Sequence, residues 1–408
     1  MIGILTFYWA NDYGALLQSY ALKTYLNRHE ETVMVPYFPR PLRSRYRLLP
    51  YNPAASLPRR CFEVAMKLRP RVFYANLKVK WEMRRFRRKY LTTSRRALES
   101  SREIYEWGNE IDVFVAGSDQ IWNPEITEGF QEGYFCTFRQ WRREKSRYVA
   151  YAASIGAKRL PQEYDDALSG LLSWFDVISL REPQSASYIR GLCGKKPSLV
   201  LDPVFLLDKT EWEALWRRGK ANKRREKGYI AVYYTEYNPA MAEYLQRLEK
   251  RTGLEVLILR PKWGMCHWTD RASCVVCGDP VRFLQWIGEA EYVVTNSFHG
   301  TALSILFQRP FATFAHSTRG ARMTDLLTCT HLTGRLAETA DAVERIDESI
   351  DWQTAEAALE KEIRRSRAFI EREILKKSGI RQEGSKAGHK RRAAKKSKTE
   401  QAQADRKG

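Results

Sequence analysis

What most narrows the folds open to this chain is a repeated order of short apolar run, polar loop and helix-period stretch. Ile2–Tyr8 is an apolar run and Trp9–Tyr13 a loop. After Gly14 the apolar residues Leu16, Leu17, Tyr20, Ala21 and Leu22 recur at helical spacing, and a second apolar run follows at Val33–Tyr37. Strand, helix, strand in that order favours a parallel sheet, because a parallel neighbour needs a long crossover and a helix supplies it. The pattern resumes with predicted strands at Ile111–Ala116, Tyr148–Ala152, Phe175–Leu180 and Leu199–Leu201. A charged helical stretch around Glu211–Arg224 precedes a fresh series: strand Tyr229–Tyr234, helix Pro239–Arg251, strand Leu254–Leu259, helix Pro280–Ala290, strand Tyr292–Thr295, helix Gly300–Phe307 and strand Phe311–Phe314. The restart predicts two parallel-sheet α/β domains, residues 1–205 and 206–335, and 408 residues are enough for two cores. Trp352, Ala355, Leu359, Ile363, Ile370 and Ile374 predict an amphipathic helix over Asp351–Lys377, so residues 336–377 are expected to pack a helix on the body.

The formal net charge of +21 is localised rather than spread. Arg40–Ser100 holds 18 Lys and Arg against three acids, in a Pro-containing, Arg-rich stretch expected to be an insertion, helical around Phe62–Lys89. Residues 378–408 carry 10 Lys and Arg against three acids with almost no apolar residue, the composition of a disordered basic tail. The rest of the chain is nearly neutral, so the basicity is no argument for a nucleic-acid enzyme; the insertion would be a solvated helical flap, slightly the better account, or would attract an anionic surface such as a lipid-linked acceptor at a membrane face. Seven thinly spread cysteines, no early Lys or Arg before the opening apolar run, and no run of roughly 18 uncharged apolar residues point to a reducing, cytoplasmic setting without a membrane span.

The loops that end the predicted strands carry the polar residues of a ligand site, since open parallel sheets bind ligands beyond the carboxyl ends of their strands. In Asn11-Asp12-Tyr13-Gly14 the N–H groups at a helix start favour an anion, and Gly14 would admit a ligand to the backbone. A plain tight turn accounts for this loop equally well, and with one glycine it is no dinucleotide fingerprint. Gly117–Pro124 brings Ser118, Asp119 and Asn123 to the rim; Asp119 and Asn123 would bind hydroxyls or supply a base, or else cap the next helix. Ser154 and Arg181 end later strands, and the guanidinium would clamp a phosphate or carboxylate, or make a surface ion pair. Asn296, Ser297 and His299 lie at a strand-to-helix turn, where an imidazole titrating near neutrality suits general acid–base work. Arg319 and Arg322 would add positive charge to the same crevice or stay solvated. Cys274 and Cys277, near Cys266 and His267, lack a second well-spaced ligand pair, so packed thiols rather than a metal site are expected.

In order, Asp12-Tyr13-Gly14-Ala15-Leu16-Leu17-Gln18-Ser19-Tyr20-Ala21-Leu22, Gly117–Pro124, Tyr151–Gly156, Ser179-Leu180-Arg181-Glu182, Asp202-Pro203 and Thr295-Asn296-Ser297-Phe298-His299-Gly300-Thr301-Ala302 resemble the polysaccharide pyruvyl transferase family over about residues 1–330. The resemblance implies a glycosyltransferase-B-like pair of Rossmann-like domains facing a central cleft. It implies transfer of an enolpyruvyl unit from phosphoenolpyruvate to a sugar of a polysaccharide or its precursor, a lipid-linked one included, leaving a pyruvate ketal and free phosphate. No metal or cofactor is expected; phosphoenolpyruvate is the donor substrate. In this scheme His299 is the acid or orients the donor phosphate, Arg181 and Arg322 neutralise the donor anion, and Asp119 binds or activates an acceptor hydroxyl. Asp12, Gly14, Ser118, Asn123, Ser154, Asn296 and Ser297 are the other substrate-site candidates. Asp12 and Phe298 stand where many members carry Asn and Arg. Two rival readings remain: a nucleotide-sugar glycosyltransferase of similar architecture, and a non-catalytic carbohydrate- or nucleic-acid-binding protein.

Overall fold

The central strands of this chain are buried on both faces, as parallel strands covered by helices must be. The computed structural model describes residues 1–45, 69–92, 94, 96–142, 146–218, 228–261, 272–315, 321–345 and 348–376. Among them run β1 (Ile2–Leu5), β2 (Thr32–Met34), β3 (Val113–Ala116), β4 (Arg147–Ala153), β5 (Val177–Leu180) and β6 (Ser198–Leu199), then β7 (Tyr229–Tyr233), β8 (Glu255–Arg260), β9 (Ser273–Val276), β10 (Tyr292–Thr295), β11 (Phe311–Phe314) and β12 (Leu336–Ala337). They form two six-stranded sheets, β2-β1-β3-β4-β5-β6 and β12-β11-β10-β7-β8-β9, with every pairing parallel. This is the expected α/β class with two Rossmann-like sheets. The strands β9 and β12 were not foreseen: β9 is a half-exposed edge and β12 has two residues, too little for a hydrophobic pattern.

Helix starts follow local chemistry. Asp12 caps the Tyr13–Leu26 helix, its Oδ1 accepting from Ala15 N at 2.9 Å. Capping boxes open the helices Ser101–Trp107, through Ser100 and Glu103, and Lys209–Arg217, through Asp208 and Glu211. The first strand stops at Leu5 rather than running to Tyr8 because Phe7, Tyr8 and Trp9 pack inward from a loop; Trp9 stacks on Phe38 at 4.2 Å and its Nε1 donates to Tyr134 Oη.

The two sheets share one hydrophobic core, to which both contribute, while the far face of the second sheet packs a smaller cluster around Tyr244, Leu245 and Phe314. Tyr13, on the helix after β1, stacks on Phe283 at 4.1 Å and donates its hydroxyl to the carbonyl of Cys277. The Trp352–Ile370 helix, continued by a π-helical turn Glu371–Leu375, crosses back to the first sheet: Leu201 N donates to Ser366 Oγ at 2.8 Å, and Phe369 lies against Tyr151. Within the basic insertion the helix Pro70–Phe86 runs into a second π-helical turn, Arg87–Leu91. Its buried side carries Val79, Met83 and Phe86, Gly278 N donates to its Glu82, and Lys23 Nζ donates to Leu91 O at 2.8 Å, so the insertion touches both halves. The rest of the expected insertion helix and the tail 378–408 lie outside the described residues. So do Arg319, Cys266 and His267. Cys274, expected as a packed thiol, is instead disulfide-bonded, whereas Cys277 is a buried free thiol.

Candidate active site

Each sheet has one place where successive crossovers leave in opposite directions, between β1 and β3 in the first and between β7 and β10 in the second. A crevice opens there beyond the strand ends. The two crevices meet in one cleft of about 260 Å³, lined by Ala10, Asp12, Asp119 and Gln120 from the first sheet and by Thr235, Asn296, Ser297, Phe298 and His299 from the second, with Arg322 beside them. Both the Tyr13–Leu26 and Phe298–Leu306 helices begin at this cleft, so two positive helix ends and a guanidinium face it.

His299 is the second residue of its helix, not the turn residue before it. Its ring lies directly on Gly14: a Cβ at that position would come within 2.0 Å of His299 Nδ1. Gly14 therefore makes room for the imidazole rather than for a ligand, a correction to the expectation from sequence. On its other side His299 Nε2 is 3.7 Å from Asp202 Oδ2. Asp202 is the residue that sequence reasoning missed. Its side chain is 0 % exposed and accepts from Arg181 Nη1 at 2.7 Å, from Ser118 Oγ at 3.3 Å and from Val204 N at 3.1 Å. Burial alone would raise its pKa, but His299, the Arg181 guanidinium and the Val204 N–H outweigh it and hold the carboxyl below the usual range. The only sequence signal was Asp-Pro after a weak strand, which also reads as a cap of the short 3₁₀ turn Pro203–Leu206.

Arg181 does converge with His299, through Asp202, but it lies under the cleft rather than on its wall. Its side chain is 2 % exposed, engaged by Asp202 and by Asp119 Oδ1 at 3.5 Å, with its guanidinium 4.7 Å over the Phe298 ring. The expected direct clamp on a donor anion is thus replaced by a buried ion pair. Arg322 reaches the cleft; its guanidinium lies 5.8 Å from the centroid of the Phe298 ring, with the Gln120 amide 2.8 Å from it. Phe298 thus has two guanidiniums within 6 Å of its ring centroid, a cation–π arrangement.

Asp119, with φ +79°, lines the cleft, and the Gly117–Ser118 peptide before it is cis. Asp12 turns its second oxygen to Tyr233 Oη at 3.3 Å and also borders the cleft. Asn296 and Ser297 lie there too, and Asn296 ties the loop after β7 to the loop after β10: its Oδ1 accepts from Thr235 N at 2.9 Å and its Nδ2 donates to Glu236 O at 2.9 Å. Three other candidates are absent from the lining. Ser118 is wholly buried and donates to Asp202 and to Ala152 O; Asn123 caps the Pro124–Thr127 helix and donates to Gln120 at 2.8 Å; Ser154 donates to Glu182 and accepts from Gly156 N. They hold the loops that form the wall.

A doubly wound pair of sheets with a cleft at their switch points defines a glycosyltransferase-B-like α/β protein. The chain belongs to the polysaccharide pyruvyl transferase family, whose model matches residues 12–318. No curated protein matches it. Among solved structures it is similar to UDP-N-acetylglucosamine 2-epimerase from Rickettsia bellii (11 % identity, 91 % of this chain and 98 % of that one, TM-score 0.46). It is similar also to UDP-GlcNAc 2-epimerase from Neisseria meningitidis bound to UDP-GlcNAc (9 %, 91 % and 97 %, TM-score 0.46) and to the Escherichia coli ADP-heptose lps heptosyltransferase II (8 %, 90 % and 99 %, TM-score 0.36).

Proposed function

We propose that this family member transfers the enolpyruvyl unit of phosphoenolpyruvate to two hydroxyls of a sugar, forming a pyruvate ketal and releasing phosphate. The observation that carries the reading is the cleft itself. Two helix N-termini and Arg322 bring positive charge for a compact anion to a cleft of about 260 Å³, and Asp12 and Asp119, which also line it, offer carboxylates to hydroxyls.

In this reading the donor phosphate lies at the helix ends beside Arg322, and Asp119 or Asp12 receives the acceptor hydroxyls. His299 gives its proton to the donor methylene carbon, which becomes a methyl group and leaves an oxocarbenium-like centre. Two sugar oxygens form the two new C–O bonds, and the C–O bond to phosphate breaks with its electron pair going to phosphate. Of the two hydroxyl protons released, one returns to His299 and the other leaves with phosphate or solvent. Asp202, Arg181 and Ser118 act through His299 and Asp119 as positioning residues. The scheme uses no metal and no cofactor.

Thermal unfolding with added ligands tests the donor. Phosphoenolpyruvate at a hundredfold excess over its Kd is expected to stabilise the protein by about 2.7 kcal/mol, with UDP- and ADP-sugars giving no shift. Protection by a nucleotide sugar and none by phosphoenolpyruvate overturns the reading.

A further inference from the structure

The Pro70–Phe86 helix has two faces of different character. Val79, Met83 and Phe86 are buried, while Tyr74, Leu77 and Trp81 are 73 %, 46 % and 59 % exposed, three of the five large hydrophobic side chains most open to solvent among the described residues. Their spacing of three and four puts them on one stripe. Arg71, Lys78, Arg84, Arg85 and Arg88 are exposed along the same face, and the Arg85 guanidinium lies 5.6 Å over the Trp81 ring. Glu82 is the one acid of this helix, and it is turned inward to Gly278 N at 2.7 Å. The outer face is thus apolar and aromatic along its middle, cationic at its flanks and free of acids.

We propose that this face is a peripheral docking surface for a bilayer containing anionic phospholipid. Charge complementarity selects the negative headgroups, the long basic side chains reach phosphates while their stems stay with the apolar stripe, and Tyr74, Leu77 and Trp81 enter the headgroup–acyl boundary where amphipathic aromatics are favoured. A nucleic acid would satisfy the charge and stack on the rings but offers no apolar recipient for Leu77. The helix also sits at the cleft: the π-helical turn that continues it places Arg87 Nη1 within 3.0–3.2 Å of Trp9 O, Ala10 O and Asn11 Oδ1, in the loop that borders the site. Docking there sets the cleft close to the membrane plane. The inference rests on the transferase reading only in making a lipid-linked sugar the acceptor so presented.

Co-sedimentation of the full chain with vesicles of phosphatidylcholine, alone or mixed with phosphatidylglycerol, tests it. The wild type is expected to pellet with the mixed vesicles and stay in solution with the neutral ones. Tyr74→Ser/Leu77→Ser/Trp81→Ser and, separately, Lys78→Glu/Arg85→Glu are expected to lower partitioning about tenfold or more, with unchanged melting temperature and unchanged phosphoenolpyruvate protection. Every variant keeps residues 378–408, so the contribution of that basic segment cancels. Equal binding to both vesicle types, unchanged pelleting of the triple-serine variant, or capture by an oligonucleotide with no pelleting on vesicles overturns the proposal. Pelleting does not depend on group transfer, so its failure is distinct from failure of the transferase reading.

Discussion

His299, Asp202 and Gly14 form a unit in which each residue makes sense only through the others. A methyl group at position 14 would lie 2.0 Å from the imidazole. Gly14→Ala is therefore expected to push the ring aside, lowering kcat about 100-fold and stability by about 1–3 kcal/mol, read by turnover and by denaturant unfolding. Removing the Asp202 charge leaves Arg181 buried without its closest partner, and Asp202→Asn is expected to cost about 3–5 kcal/mol. The pH dependence has a definite sign: a carboxyl whose pKa is depressed by folding stabilises above the unfolded value of about 4, and that contribution is lost as pH falls below it. The stability gap between wild type and Asp202→Asn should therefore close in acid, and a constant gap across that range would contradict the ion pair. His299, Asp119 and Arg322 were legible in the sequence because each ends or follows an apolar run. Asp202 was not, because its meaning lies in partners 21 and 84 residues away.

Elements with a clean period were legible and those without it were not. The Pro239–Thr252 helix ends one residue past its expected limit, and the Trp352–Ile370 helix reaches within two residues of its expected end only through the π-helical turn to Leu375; periodicity carries no sign of the π-helical turns that continue two helices. The Trp352–Ile370 helix is held by apolar contact, so Phe369→Ala, removing a buried ring, is expected to cost about 3–5 kcal/mol in chemical denaturation. The Ala321–Cys329 helix carries a liability of opposite sign. Partial burial, with Glu182 nearby, raises the Asp325 carboxyl to about 6. A carboxyl raised by folding gives stability that is complete below its unfolded pKa and lost as pH rises through the folded one. Asp325→Asn is thus expected to raise the melting temperature at pH 7.5 and to leave it unchanged at pH 4. A rise at both pH values would assign the effect to packing.

At the scale of the molecule, sheet order decides where the site lies, and sheet order is the part least visible in a sequence. Alternating strands and helices announce two parallel sheets; they do not say that β3 lies beside β1 or β10 beside β7, and it is those adjacencies that put four loops around one cleft. The shared core has a measurable consequence. Calorimetry is expected to show one unfolding transition for both halves, and two resolved transitions would mean that the common cluster does not couple them. The contact between the insertion and the second half is closer still, since any Cβ at Gly278 would fall 2.2 Å from the Val79 carbonyl of the Pro70–Phe86 helix. In evolutionary terms, position 278 is not free to drift by itself: among relatives, a side chain there should be inherited together with loss or displacement of that helix, so a residue after the ninth strand records whether an insertion some 200 positions earlier is present.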